Sequence, residues 1–172
     1  PKRFEAYGWH VVRDVDGGGP RQVTQDGGNA ENPTATPDGQ WTVYSSGNPQ
    51  KAGLWKIRPD GSGATHVVQG RVSLPDLSPD GRHVVCANAA SDTLSVIDTR
   101  TDTVAETIWA KPSPADLFGA QPNALAFDPS GRTLYVANGT QNAVAVVAFA
   151  PAERESKLQG LIPVGWFPGA LA

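Results

Sequence analysis

Methionine is absent from the 172 residues, position 1 included, and cysteine occurs once. The lone Cys86 excludes an internal disulfide but leaves the redox compartment open, because unbridged secreted proteins exist. The missing initiator residue reads as a chain cut from something longer. Long apolar runs are missing too. The stretch 143–152 is about half of the roughly 20 residues a membrane-spanning helix needs, and no charged segment leads into an apolar one at the start. The expectation is a chain with neither a membrane span nor a secretory signal. Charge of one sign is scarce: Lys+Arg 14 against Asp+Glu 17 leaves a formal net charge of −3, with no run of like charge. Neither a nucleic-acid surface nor an anionic-membrane surface is expected from that balance. What is abundant is Gly, at 19, and Pro, at 15, beside 39% hydrophobic residues. Frequent turns and a real core follow, and a helix bundle does not.

The turns repeat. Thr36-Pro37-Asp38-Gly39-Gln40 recurs as Ser78-Pro79-Asp80-Gly81-Arg82 and as Asp128-Pro129-Ser130-Gly131-Arg132, with prolines 42 and 50 residues apart. Proline presets one turn angle, Asp or Ser bonds its own backbone, and Gly accepts a positive φ, so each segment predicts a hairpin tip rather than a catalytic loop. After each tip comes a β-branched and aromatic run, 41–46, 83–88 and 133–138, then a third strand at 54–57, 94–97 and 144–147. Fourth strands are expected at 64–69, 103–109 and 157–163. Four short strands per repeat of roughly 40 to 50 residues is the pattern of a β-propeller blade. The segment 16–23 matches 60–67, and 168–172 echoes 122–126. The fold predicted is therefore all-β, a β-propeller fragment of three full four-stranded blades plus partial blades at both ends. As one segment over 1–172, it divides into the end of a preceding blade (9–25), blades at 31–69 and 71–109, a loop insertion (110–121), a blade at 122–163 and the start of a further blade (165–172).

Two repeat families are discernible. Gln22-Val23-Thr24, Asn32-Pro33, Thr36-Pro37-Asp38-Gly39, 41–46, Leu54-Trp55-Lys56-Ile57 and Pro59-Asp60-Gly61 resemble the TolB-type repeat of periplasmic proteins and of some bacterial receptor kinase sensors. Ser78-Pro79-Asp80-Gly81-Arg82, Val85, Ala87-Asn88, 94–98 and Leu134-Tyr135-Val136-Ala137-Asn138 resemble the YVTN-type repeat. The tail 160–168 is similar to a connector in bacterial YVTN propellers that precede an alkaline-phosphatase-like phosphoesterase domain. None of that domain's metal ligands is in the sequence, so the resemblance implies the propeller and not the hydrolysis. Residues 3–17 are similar to a stretch of the transketolase thiamine-diphosphate domain, but diverge at Gly18 and lack the rest of that enzyme. Resemblance to three different proteins raises the expectation of a composite or engineered chain.

Candidate chemistry is sparse. Cys86 aligns with Tyr44 and Val136 and reads as a buried thiol rather than a nucleophile. His10, His66 and His83 lack the close spacing of a metal motif. Asp14 and Asp16 repeat the Asp60-Gly61-Ser62-Gly63 turn and lack the remaining calcium-loop ligands, and Gly17-Gly18-Gly19 leads into neither Lys-Ser/Thr nor a helix. Asn88 and Asn138 end equivalent strands and are expected to make local turn bonds. Trp41, Trp55, Trp109 and Trp166 are expected to fill the wedge between blades. The third repeat is eight residues longer than the second, and the extra length lies in 110–121, a connection from a fourth strand to the next first strand. In propellers such connections carry ligand sites, which makes this the leading functional insertion.

The predicted function is a non-catalytic recognition or scaffold module of a bacterial extracytoplasmic protein, periplasmic or extracellular. Its ligand-binding candidates are Asn32, Arg71, Asp76, Asp116, Phe118, Gln121 and Asn123, with no catalytic residue, metal or cofactor. Partners expected are a protein or small ligand at the loop face and a second copy completing a propeller, but no nucleic acid and no membrane. The alternative implied by the YVTN resemblance is a lactonase-type propeller, whose axial metal would draw on first-strand Asn32, Asp76 and Asn123, or an accessory propeller of a phosphoesterase.

Overall fold

The computed structural model describes residues 11–12, 21–24, 30–70, 72–116 and 119–171. Of the transketolase-like stretch it describes only Val11 and Val12, so that resemblance, His10, Asp14, Asp16, the 17–19 glycines, Arg71 and Phe118 lie outside the described residues. Every regular element among the described residues is a strand, and the chain divides into two units, Pro1–Val72 and Ser73–Ala172.

In the first unit, β1 (Val11–Val12) pairs antiparallel with β2 (Arg21–Gln22). A four-stranded sheet follows in chain order: β3 (Ala30–Ala35), β4 (Thr42–Ser46), β5 (Gly53–Ile57) and β6 (Thr65–Gln69). The second unit holds two such sheets. One comprises β7 (Ser73–Leu77), β8 (His83–Asn88), β9 (Thr93–Asp98) and β10 (Thr103–Trp109). The other comprises β11 (Pro122–Phe127), β12 (Thr133–Asn138), β13 (Ala143–Ala148) and β14 (Lys157–Pro163). All neighbours are antiparallel, so hairpin tips and inter-sheet connections alternate between the two strand ends.

The repeated tips close by one device. In the first, the Thr36 hydroxyl donates to Asp38 Oδ1 (2.5 Å) and accepts from Trp41 N, while Gln40 N donates to Asp38 Oδ1. Ser78 and Asp80 repeat this with His83 N and Arg82 N. In the third tip the two residue types are exchanged: Ser130 Oγ donates to Asp128 Oδ2 at 2.6 Å, and Thr133 N and Arg132 N donate to Asp128 Oδ1. Gly39, Gly81 and Gly131 take φ of 67°, 67° and 70°, a region that only glycine enters freely. These bonds favour the charged carboxylates. The Thr36 hydroxyl foremost lowers Asp38, and the Ser130 hydroxyl foremost lowers Asp128. Burial pushes Asp80 the other way, but the Ser78 hydroxyl, the Arg82 amide and the nearby His83 and Arg82 charges outweigh it.

Alternation supplies the core. Val85 and Ala87 of β8, Leu94 and Val96 of β9 and Ile108 of β10 pack against Leu134 and Val136 of β12 and Ala145 and Val147 of β13. Ala110, Ala120 and Phe149 close the ends of this cluster. Burying each of the large aliphatic side chains stabilises the fold by about 1.5–3 kcal/mol. In the first unit, Tyr44, Ile57 and Ala30 form a smaller cluster with Trp55 against it. Two of the four tryptophans do not act as wedges. Trp109 is 45% and Trp166 91% exposed. Trp41 carries Lys56 and Arg58 over its ring at 5.1 and 5.0 Å, and Trp55 stacks on His66 at 4.4 Å while its Nε1 donates to Lys51 O. Each of those two indoles is engaged by cations or polar groups of its own sheet.

Candidate functional site

The connection from β10 to β11 is built onto the second unit by side chains. Lys111, 8% exposed, sends its ammonium to Asp92 Oδ2 at 3.3 Å and to Asp116 O at 3.1 Å, and it lies 5.7 Å from the centre of the Trp109 ring. Asp92 Oδ1 accepts from Gln121 N at 3.1 Å, and Asp116 Oδ2 accepts from Ser113 N at 3.2 Å. One lysine thus holds together the β8–β9 turn and the tip of the insertion. Asn138, fully buried, donates through Nδ2 to Ala110 O (2.7 Å) and Gln141 Oε1 (2.9 Å). The Thr140 hydroxyl donates to Gly119 O. A Cβ on Gly119 would stand 2.7 Å from Asp92 Oδ1, so the backbone passes this carboxylate at a distance that only glycine permits without a shift.

This clamp repeats. Asp92 and Asn142 occupy the last position of equivalent turns, with φ of 58° and 51°, and Gln121 and Phe167 occupy equivalent positions with φ of 49° and 46°. Asn142 Oδ1 accepts from Phe167 N as Asp92 Oδ1 accepts from Gln121 N. The backbone follows the same pattern: Ala110 N donates to Asp92 O, and Val164 N to Asn142 O. Asp and Asn tolerate the left-handed conformation and reach backbone groups with a short side chain, which suits them to this position. Sequence reasoning missed Asp92 and Lys111. Their signal was the Asp92–Asn142 correspondence at the 50-residue offset of the turns.

Of the residues singled out from sequence, Asp116, Gln121 and Asn123 belong to this end of the second unit. Asp116 is engaged through the insertion's own bonds, to Lys111 and Ser113, whereas Gln121 bonds to Asp92 and Gly139 of the two neighbouring turns. Asn123 sits in the bulge between the Pro122–Asn138 and Ala124–Ala137 pairs, and its Oδ1 is buried without a partner among the described residues. Asn138 Oδ1 is likewise buried and unpartnered. These are two acceptors with no donor among the described residues, and a buried water would satisfy them. Asp76 lies farther along its first strand, paired with Val85, and its Oδ1 accepts from Leu77 N at 2.9 Å. Burial raises the Asp76 pKa against that bond. Asn32, in the first unit, takes φ 50° in the bulge between Glu31 and Thr34, and its Nδ2 donates to Ser45 Oγ at 3.4 Å. Within their own sheets, Asn32, Asp76 and Asn123 thus stand at three different heights of the first strand.

Cys86 is fully buried, and desolvation pushes its thiol up to about 12, so it is protonated and unreactive at neutral pH. Asn88 makes the local bonds expected of it, Nδ2 donating to Thr93 Oγ1 and Ser95 Oγ, whereas Asn138 bridges to Ala110, 28 residues away. Among the described residues no three His, Cys, Asp or Glu side chains come together as a metal site, and no helix is long and apolar enough to cross a membrane.

No known protein-family model matches the chain. An uncharacterized protein of Agrobacterium fabrum is 28% identical over 81 residues, covering 46% of this chain and 28% of that one. Among solved structures, hydrazine synthase of Kuenenia stuttgartiensis superposes with a TM-score of 0.62 at 22% identity, over 80% of this chain and 37% of that one. A 6-phosphogluconolactonase-like protein of Bacteroides fragilis gives 0.66 at 18%, over 94% and 45%. A functionally unknown protein of Desulfotomaculum acetoxidans gives 0.66 at 18%, over 93% and 50%. The chain spans half or less of the length of each of these proteins. The structural neighbours are propeller-like, and with the three four-stranded antiparallel sheets they show an all-β propeller architecture.

Proposed function

We propose that the chain is a non-catalytic recognition module of a bacterial extracytoplasmic propeller protein, with its ligand-binding surface on the insertion 110–121 and the turns beside it. The observation that carries this reading is the largely buried Lys111–Asp92 pair, which ties the described part of an irregular segment, 110–116, to the β8–β9 turn. A loop held rigid before binding loses less entropy when a ligand arrives, so such an investment suits recognition. The buried oxygens of Asn123 and Asn138, without a hydrogen-bond partner among the described residues, lie at the same end of the sheet. The TolB- and YVTN-like repeats support the extracytoplasmic assignment.

A lactonase-type enzyme would need donors of several blades at one height, which the staggered positions of Asp76 and Asn123 in their sheets do not favour. The test pairs two measurements on the purified chain. Hydrolysis of a sugar lactone is followed with and without added divalent cation, and amide shifts are mapped during a screen of polyols, amino acids and sugars. The expectation is no turnover and saturable shifts at 89–92, 110–121 and 138–142. Cation-dependent turnover lost in Asp76→Asn would overturn the reading in favour of the enzyme.

A further inference from the structure

At the opposite strand ends of the second unit lies a groove of about 740 Å³ between the β7–β10 and β11–β14 sheets. Its volume is in the usual range for a small-molecule site. The two hairpin tips supply Arg82 and Arg132 from equivalent positions, the β9–β10 turn supplies Arg100, and the β13–β14 connection supplies Arg154. Arg100 is engaged: its Nη2 pairs with Asp98 Oδ2 at 3.1 Å. The guanidinium groups of Arg82, Arg132 and Arg154 make no ion pair or side-chain hydrogen bond with the described residues. Of the carboxylates in the groove, Asp98 is paired with Arg100, Asp80 is bonded to the Ser78 hydroxyl and the Arg82 amide and keeps its charge under the field of Arg82, and Glu153 is exposed. Four guanidinium groups therefore line the groove with three carboxylates, an excess of one positive charge.

The floor is apolar. Phe149, 8% exposed, stands edge-on to Phe127 at 5.0 Å and to His83 at 5.8 Å. Ala148, Ala150 and Pro151 extend it. One wall is the β13–β14 connection, eight residues long where the equivalent β9–β10 turn has four. Its extra length is ordered by Glu155 N donating to Ala150 O and by Ala150 N donating to Ser156 Oγ at 2.9 Å. Ser156 N in turn donates to Glu106 Oε1 on β10 at 3.0 Å, which ties the wall to the other sheet. Arg154 is held at φ 56°, a conformation that a non-glycine residue adopts only when its surroundings impose it.

We propose that this groove binds a small organic oxyanion, with a phosphate or carboxylate met by the Arg82, Arg132 and Arg154 guanidinium groups and an apolar body lying on Phe149. Guanidinium forks match planar and tetrahedral oxyanions, and the aromatic floor favours a flat substituent over a free ion. The site is separate from the insertion end, so the two proposals fail independently.

The test is a titration of the labelled chain with phenyl phosphate, benzoate, inorganic phosphate and phenol, followed by amide shifts. Saturable shifts are expected at 82–83, 130–133 and 149–156, tighter for an aryl oxyanion than for inorganic phosphate, and absent with phenol. Preference for phenyl phosphate assigns a phosphate headgroup, and preference for benzoate a carboxylate. Arg82→Ala and Arg132→Ala are each expected to weaken binding about 10-fold, since a charge-assisted bond is lost. Both are surface changes, so far-ultraviolet circular dichroism should match the parent, and Arg58→Ala in the first unit should bind as the parent does. No saturation by about 10 mM of any oxyanion, weaker than a site of this size should show, or affinity unchanged in Arg82→Ala/Arg132→Ala, would overturn the proposal.

Discussion

Replacing Asp92 by Asn removes one charge and little else. Asn keeps an oxygen to accept from Gln121 N and tolerates the φ of 58° at this position. What it leaves behind is the Lys111 ammonium, 8% exposed, without its carboxylate. At 3.3 Å and an effective dielectric constant of about 20, the lost attraction is about 5 kcal/mol before desolvation is counted. Breaking a buried pair from one side costs about 3–5 kcal/mol, and the 14% exposure of the Asp92 side chain lets water repay part of that. The expected loss is about 2–3 kcal/mol, or roughly 8–24 °C in the melting of the second unit. Lys111→Met should cost less, because Asp92 retains the Gln121 amide. The double variant should recover about 1 kcal/mol or more relative to the sum of the single losses. Urea unfolding followed by circular dichroism, with Trp109 fluorescence as the local reporter, measures all three. A single-variant loss below about 0.5 kcal/mol, or strict additivity, would show that the pair does not hold the insertion.

Three further outcomes rest on other parts of the chain. The Arg100 guanidinium foremost lowers the Asp98 carboxyl to about 2; stability from this contact is present above the ordinary carboxylate range and is lost as pH falls toward 2, and in Arg100→Gln the Asp98 titration read by carbon NMR should move upward. Gly53→Ala would place a Cβ 2.1 Å from Val68 O at φ 146° and should cost more than about 3 kcal/mol in thermal unfolding, whereas Gly70→Ala, at φ 110° with nothing within 4 Å, should cost about 1–2. Cys86 should resist a thiol reagent in the native state and react on unfolding, and Cys86→Val should leave ligand binding intact; rapid native labelling would show that the thiol is accessible.

The strands were legible because their punctuation is local. A Pro-Asp-Gly or Pro-Ser-Gly tip encodes its own hydrogen bonds within five residues, and the alternating run after it, such as 83–88 or 133–138, has one buried face. The tryptophans misled because an aromatic type does not say which neighbour it meets: Lys56 and Arg58 engage Trp41 from the adjoining strand and turn, and Trp109 ends its strand half in solvent. The site was legible in location and not in parts. An eight-residue excess marks 110–121, but the clamp joins Asp92 to Gln121 across 29 positions and depends on left-handed backbone at both, which no composition or spacing displays. Arg82 and Arg132 repeat visibly in the sequence. Their shared groove emerges only when two sheets stack and the longer 149–156 connection walls it.

Amide hydrogen exchange across the insertion tests most directly whether this segment is a preorganised recognition surface. Ala110, Gln121 and Gly139 donate to Asp92 O, Asp92 Oδ1 and Gln121 O. Their exchange should be as slow as that of the β11–β12 ladder in the parent chain and should accelerate together in Asp92→Asn. Exchange at the rate of an exposed loop in the parent, unchanged by the substitution, would contradict the account.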